Sequence, residues 1–98
     1  MTLVDSHCHL DDGQFNADRD AVVERALAAG VATILTIGTG DGPPDLEAAL
    51  RQAEKHPQVL ATVGIHPQYV ANAAPEHLKV LEGLLRHRKC VALGEIGL

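Results

Sequence analysis

Hydrophobic and polar positions along this chain follow two alternating periods. Four short apolar or β-branched runs begin near Leu3, Val31, Val59 and Cys90. Their spacing, roughly 28–31 residues, is the size of one βα unit. Residues 3–10 alternate with period two and run into a polar turn at Asp11-Asp12-Gly13, which predicts a strand. Residues 31–37 are almost continuously β-branched, the mark of a strand buried on both faces. Residues 59–64 and 90–96 predict the third and fourth strands.

Between them the apolar residues recur at helical spacing. Asn16 or Asp18 is placed to cap a helix that runs to about Ala29, with Val22, Val23, Ala26 and Leu27 as its stripe and Gly30 as its stop. Pro43-Pro44-Asp45 is expected to open a second helix carrying Leu46, Ala49, Leu50 and Ala53, closed by His56-Pro57. Pro75-Glu76 starts a third, with Leu78, Leu81, Leu84 and Leu85 as its expected core face. The order β-α-β-α-β-α-β implies an α/β fold of parallel strands with right-handed crossovers.

Two parallel architectures fit that order. A doubly wound sheet usually carries a Gly-rich phosphate loop before its first helix, and Asp11-Asp12-Gly13-Gln14 is not one. A TIM (β/α)8 barrel needs about 250 residues, so residues 1–98 would be the N-terminal half of a single truncated barrel domain. The apolar Ile96-Gly97-Leu98, falling where a strand reaches its loop, favours the half barrel. A small complete parallel sheet remains the alternative.

Composition narrows the function classes. One Phe, one Tyr and no Trp leave no aromatic platform for stacking bases. A formal charge of −5 argues against passive electrostatic binding of nucleic acid. It does not exclude a nucleic-acid substrate, because bound divalent cations reverse the local field. Cys8 and Cys90 read as reduced, small, buried residues. The start Met-Thr-Leu-Val-Asp has no basic, apolar leader, and no run of apolar residues reaches membrane-spanning length, so the cytoplasm is the expected location.

The residues with chemical potential gather at the carboxyl ends of the predicted strands, the edge where parallel α/β folds build active sites. His7 and His9, two apart on a strand, project to one face with Asp5 below them. Neutral imidazoles side by side are good donors to a divalent metal. Glu95, within Leu93-Gly94-Glu95-Ile96, would be costly to bury unpaired and would add an oxygen donor to the two imidazoles. His66, in Gly64-Ile65-His66-Pro67, reads either as a substrate or phosphate contact or as a loop residue stacked on Pro67 or Tyr69. His56 reads as a structural helix end, and His77 and His87 receive no role. The basic cluster Arg86-His87-Arg88-Lys89 reads as a solvated helix end on the face opposite the candidate site.

Taken together, Asp5-Ser6-His7-Cys8-His9-Leu10-Asp11, Gly64-Ile65-His66-Pro67 and Gly94-Glu95-Ile96-Gly97-Leu98 resemble the TatD family of metal-dependent deoxyribonucleases, within the amidohydrolase-like barrels. The resemblance runs from Leu3 to Leu98. It implies a metal-dependent hydrolase that cleaves phosphodiester bonds of DNA, often as a 3′→5′ exonuclease, with one or two divalent ions (Mg, Mn or Zn). It assigns His7, His9 and Glu95 as metal ligands, Glu95 as the catalytic carboxylate, and His66 as a substrate-phosphate contact. It also implies two His from the fifth and sixth strands and an Asp from the eighth, which these 98 residues do not contain. The isolated chain is therefore expected to be nearly inactive and to self-associate through open strand edges. A related amidohydrolase or phosphoesterase with another substrate, or a non-catalytic half-barrel remnant, are the rival readings.

Overall fold

The computed structural model describes residues 1–97. Leu98, the last residue of the third motif, lies outside them. Its β-branched runs pair side by side because each extends next to the one before it. The strands are β1 (Leu3–Cys8), β2 (Val31–Thr36), β3 (Val59–Val63) and β4 (Cys90–Leu93). All neighbours are parallel and the sheet order is β1-β2-β3-β4. The helices α1 (Arg19–Ala28), α2 (Ala48–Lys55) and α3 (Pro75–Leu84) connect them. Two short 3-10 turns, Gly13–Phe15 and Pro67–Asn72, lie in the loops that follow β1 and β3.

One hydrophobic layer holds the sheet to its helices. Val59, Ala61 and Val63 on β3 are wholly buried, with Ala49, Leu50 and Ala53 of α2 packed in the same cluster. Leu10, Val23, Ile34, Leu46 and Leu81 complete it. All four apolar residues expected on the second helical stripe are buried. The regular helix nevertheless starts at Ala48 rather than Pro43. Asp45 accounts for the delay: its Oδ1 accepts from the Glu47 N–H at 3.1 Å and from Arg51, an Asx-type turn that delays the helix.

Three expectations about the core need correction. Leu27, Leu78 and Leu85 are exposed, Leu78 by 63%. Leu81 is buried and Leu84 partly so, because α3 touches the core along a narrow strip. Cys8 and Cys90 are free thiols but only half-buried. β4 ends at Leu93, short of Ile96, so Glu95 follows the strand instead of sitting inside it.

The pairing of β1 with β2 is irregular. Asp5 faces Ile34 and Cys8 faces Thr36, so three steps along β1 pass two along β2. This is a β-bulge, a device that bends a strand and re-aims its side chains. It falls on Ser6-His7.

Candidate metal centre

The end of strand β1 and the loops that leave β1, β3 and β4 bring three of the four singled-out imidazole and carboxylate groups onto one point, with the fourth beside it. His7 Nε2 lies 3.7 Å from Glu95 Oε2, and His9 Nε2 lies 3.8 Å from the same oxygen. The two imidazoles meet edge to face, centroids 5.2 Å apart. One ligand atom from each of His7, His9 and Glu95 falls within 4.8 Å of the others. Ligands about 2.1 Å from a common ion lie roughly 3–3.5 Å apart, so these separations suit a shared cation with little adjustment. They are too long for hydrogen bonds. Their side chains are 40–56% exposed, so the centre opens to solvent.

Local contacts position each of these side chains. Asp5 Oδ1 accepts from the His7 backbone N–H at 3.1 Å, within the bulge. Asp5 is thereby a backbone tether beneath the imidazoles. Beside it, burial together with the Asp5 charge pushes the Cys8 thiol up from its ordinary value. On the far side, the Gly94 N–H donates to Val63 O at 2.8 Å, the last backbone link between β3 and β4 before the chain turns to Glu95. Gly64 is needed next to it: a Cβ there would meet Glu95 O and Gly94 C at 3.0 Å. A Cβ on Gly97 would meet the Pro67 ring at 3.1 Å. The second and third motifs are thus two surfaces of one backbone contact.

His66 lies between its own loop and the centre. Its Nδ1 accepts the Gln68 N–H at 3.1 Å, and its ring meets Tyr69 edge to face at 6.4 Å. Its Nε2 lies 3.8 Å from Glu95 Oε1. With Nδ1 occupied as an acceptor, the neutral ring carries its proton on Nε2. His66 therefore presents a donor to the centre, not a lone pair for a metal.

Beside His9 opens a cavity of about 280 Å³ lined by Asp11, Asp12, Asp41, Asp45 and Arg51. Arg51 is held there by both oxygens of Asp45, and the guanidinium holds the Asp45 carboxyl below its usual range.

The other imidazoles have partners elsewhere. His56 Nε2 meets Asp20 Oδ1 and His87 Nε2 meets Glu54 Oε1, each at 3.1 Å. His77 Nδ1 accepts the Ala74 N–H at 2.9 Å at the start of α3. Within the basic cluster, Lys89 departs from its expected solvated role. Its Nζ donates to Ala53 O at 2.7 Å and His56 O at 2.8 Å, closing the end of α2. Two residues went unsingled in the sequence: Thr36 and Thr62 are buried, and their hydroxyls bond the loops that carry the ligands. Nothing local in the sequence marks them.

Known proteins agree with this arrangement. The model of the TatD related DNase family matches residues 4–98. The chain is 34% identical to a Bacillus subtilis protein named uncharacterized metal-dependent hydrolase YabD, over 98% of this chain and 37% of that protein. It is 35% identical to a Salmonella typhimurium protein named 3'-5' ssDNA/RNA exonuclease TatD, over 98% of this chain and 36% of that protein. The crystal structure of YjjV, a TatD homologue from Escherichia coli K12, superposes with a TM-score of 0.84 at 35% identity, covering 98% of this chain and 37% of that one. The chain thus spans little more than a third of the length of these relatives, and its four strands are the first four of a (β/α)8 barrel. The match of the family model to residues 4–98, supported by the superposition on YjjV, shows that this chain belongs to the TatD related DNase family.

Proposed function

We propose that residues 1–98 form the N-terminal half of a barrel hydrolase that cleaves phosphodiester bonds of DNA, in the manner of a 3′→5′ exonuclease. In this reading His7, His9 and Glu95 hold a divalent ion. The observation that carries it is the approach of two imidazoles to one carboxylate oxygen at 3.7 and 3.8 Å, across the exits of β1 and β4. One or two bound ions (Mg, Mn or Zn) would supply Lewis-acid charge at the phosphate and lower the pKa of water. Mixed nitrogen and oxygen donors do not select among these ions.

The chain's own residues divide the remaining work. Glu95 turns Oε2 toward the two ligand imidazoles and Oε1 toward His66. The two oxygens thus face the ligand imidazoles on one side and His66 on the other, which supports its assignment as the catalytic carboxylate. His66, with its proton on Nε2, donates to a non-bridging phosphate oxygen and positions it. Four of the ten residues that line the cavity beside His9 are aspartates, only one of them paired with Arg51, so it disfavours phosphate and suits the sugar or base edge of the adjoining nucleotide. The 3'-5' ssDNA/RNA exonuclease named among the relatives supports a nucleic-acid substrate.

Calorimetric titration of the chain with Mn or Zn tests this reading. Binding that disappears in the doubly substituted His7→Ala, His9→Ala chain is expected. Equal binding by both chains would defeat it. Incubation with single-stranded DNA and Mn is expected to give hydrolysis no faster than the buffer, because the proposal places further ligands on later strands of the barrel. On sizing, the open edges of β1 and β4 are expected to make the isolated chain self-associate.

A further inference from the structure

Thr62 is 97% buried, yet its hydroxyl has both a donor and an acceptor duty. It accepts the Gly38 N–H at 3.0 Å and donates to the Gly94 carbonyl at 2.6 Å. A hydroxyl offers one proton and two lone pairs, so this pair of bonds uses its proton and leaves no orphan donor. Thr62 alternates with Ala61 and Val63, which belong to the core cluster shared with α2. It sits instead on the opposite face of β3.

The consequences fall on Glu95. The Gly94 carbonyl belongs to the peptide unit that begins Glu95. The Gly94 N–H is already bound to Val63 O at 2.8 Å. Thr62 therefore closes the second end of a residue whose first end the β3 backbone holds. The hydroxyl's other partner, Gly38, lies just after β2, and there the two backbones touch: a Cβ on Gly38 would lie 1.9 Å from Thr62 O. One side chain thus joins the exits of β2, β3 and β4. Thr36 serves the other half of the centre in the same way. Fully buried, it accepts the Leu10 N–H at 3.0 Å and bonds Asp11 Oδ1 at 3.2 Å, clamping the chain just after His9.

We infer that Thr62 is a positioning residue for the metal centre: its hydroxyl sets the backbone from which Glu95 reaches the ion. The inference rests on the metal reading above for its purpose, and on the two hydrogen bonds for its geometry. Groups that bond and orient a ligand side chain are worth about 10–100-fold in ion affinity, and Thr62 acts one peptide unit away from Glu95.

Thr62→Val, nearly the same shape without the hydroxyl, and Thr62→Ser, the hydroxyl without the methyl, separate the roles. Mn or Zn titration is read beside amide hydrogen exchange and backbone NMR shifts at Gly38, Gly94 and Glu95. Thr62→Val is expected to lower ion affinity at least about 10-fold, speed exchange at Gly38 and move the Gly94 and Glu95 shifts. Thr62→Ser is expected to restore all three. Val59→Ala, which loosens the core beneath α2, is expected to lower the melting temperature and leave affinity and those shifts in place. If Thr62→Val keeps wild-type affinity and unmoved Gly94 and Glu95 shifts, or if Thr62→Ser behaves like Thr62→Val, the inference is overturned. Should Thr62→Val fail to fold, Thr62→Ala, which also removes the hydroxyl, is compared with Thr62→Ser in the same measurements, with the same outcomes expected and excluded. If the wild type itself binds no ion, the metal reading fails, and the exchange and shift data decide the positioning role alone.

Discussion

Histidines serve two regions of this molecule in opposite ways. Where the chain enters β3 and β4, each imidazole has its own carboxylate: His56 with Asp20 and His87 with Glu54, both at 3.1 Å. Where the chain leaves β1, β3 and β4, three imidazoles share one carboxylate, at 3.7–3.8 Å. The first arrangement is a set of closed pairs, satisfied by the protein alone. The second brings His7 and His9 close to Glu95 without letting them bond, and that gap is what an ion would fill. The same residue types therefore mean structure in one place and chemistry in the other, and partner geometry separates them.

The comparison breaks most readily at the ligands. Removing both imidazoles with His7→Ala and His9→Ala is expected to cut Mn or Zn affinity by more than about 100-fold, the loss expected when ligands rather than their supports are removed. Thermal stability should hardly move, since surface substitutions usually stay within about 0.5 kcal/mol. Calorimetry paired with a melting curve checks both halves. In contrast, His56→Ala and His87→Ala are expected to leave affinity intact.

A backbone change should reach both properties. Gly38→Ala places a Cβ 1.9 Å from Thr62 O, closer than atoms can lie. It is expected to cost about 2–3 kcal/mol by urea unfolding, as overpacking does, and to weaken ion binding through Thr62. Gly64→Ala, with contacts of 3.0 Å to the Gly94–Glu95 backbone, should weaken binding with a smaller loss of stability.

At the closed region, Lys89→Met keeps the apolar stem and removes the ammonium that binds the Ala53 and His56 carbonyls. The expected loss is about 1–2 kcal/mol, for charge-assisted bonds to a helix end. Ion affinity should stay at the wild-type value. A fall in affinity would show that the two regions are coupled through α2.

The smallest effect concerns Asp45 and Arg51. Their pair is about half exposed, so it contributes no more than about 0.5–1 kcal/mol after solvent screening. The guanidinium lowers the Asp45 pKa in the folded state. The contribution is therefore present above the unfolded carboxylate pKa and is lost as pH falls through the depressed folded value. Arg51→Met should be slightly less stable than wild type at neutral pH and equal to it in strong acid, as followed by urea unfolding across pH.

Much of the fold is visible in the residue pattern. Four apolar runs at βα spacing and the stripe Leu46, Ala49, Leu50 and Ala53 lead directly to the parallel sheet and its packed helix. His7, His9, His66 and Glu95 stand out because imidazoles and a carboxylate at strand ends are rare chemistry in a chain built from Val, Leu, Ile and Ala. Their sequence neighbours alone place them on one edge of the sheet.

Other features depended on register, which spans distant residues. The bulge at Ser6-His7 exists only in the pairing of β1 with β2. Thr62 looks like any β-branched strand residue until Gly38 and Gly94, 24 and 32 residues away, arrive at its hydroxyl. Lys89 reads as a surface charge until the end of α2 comes within reach. The sequence by itself determined which residues are candidates for chemistry and which edge of the sheet they occupy, because strand periodicity is local. Only the tertiary structure decided that Glu95 Oε2 meets two imidazoles while Oε1 meets a third, because that depends on how far each neighbouring strand has slid past the next.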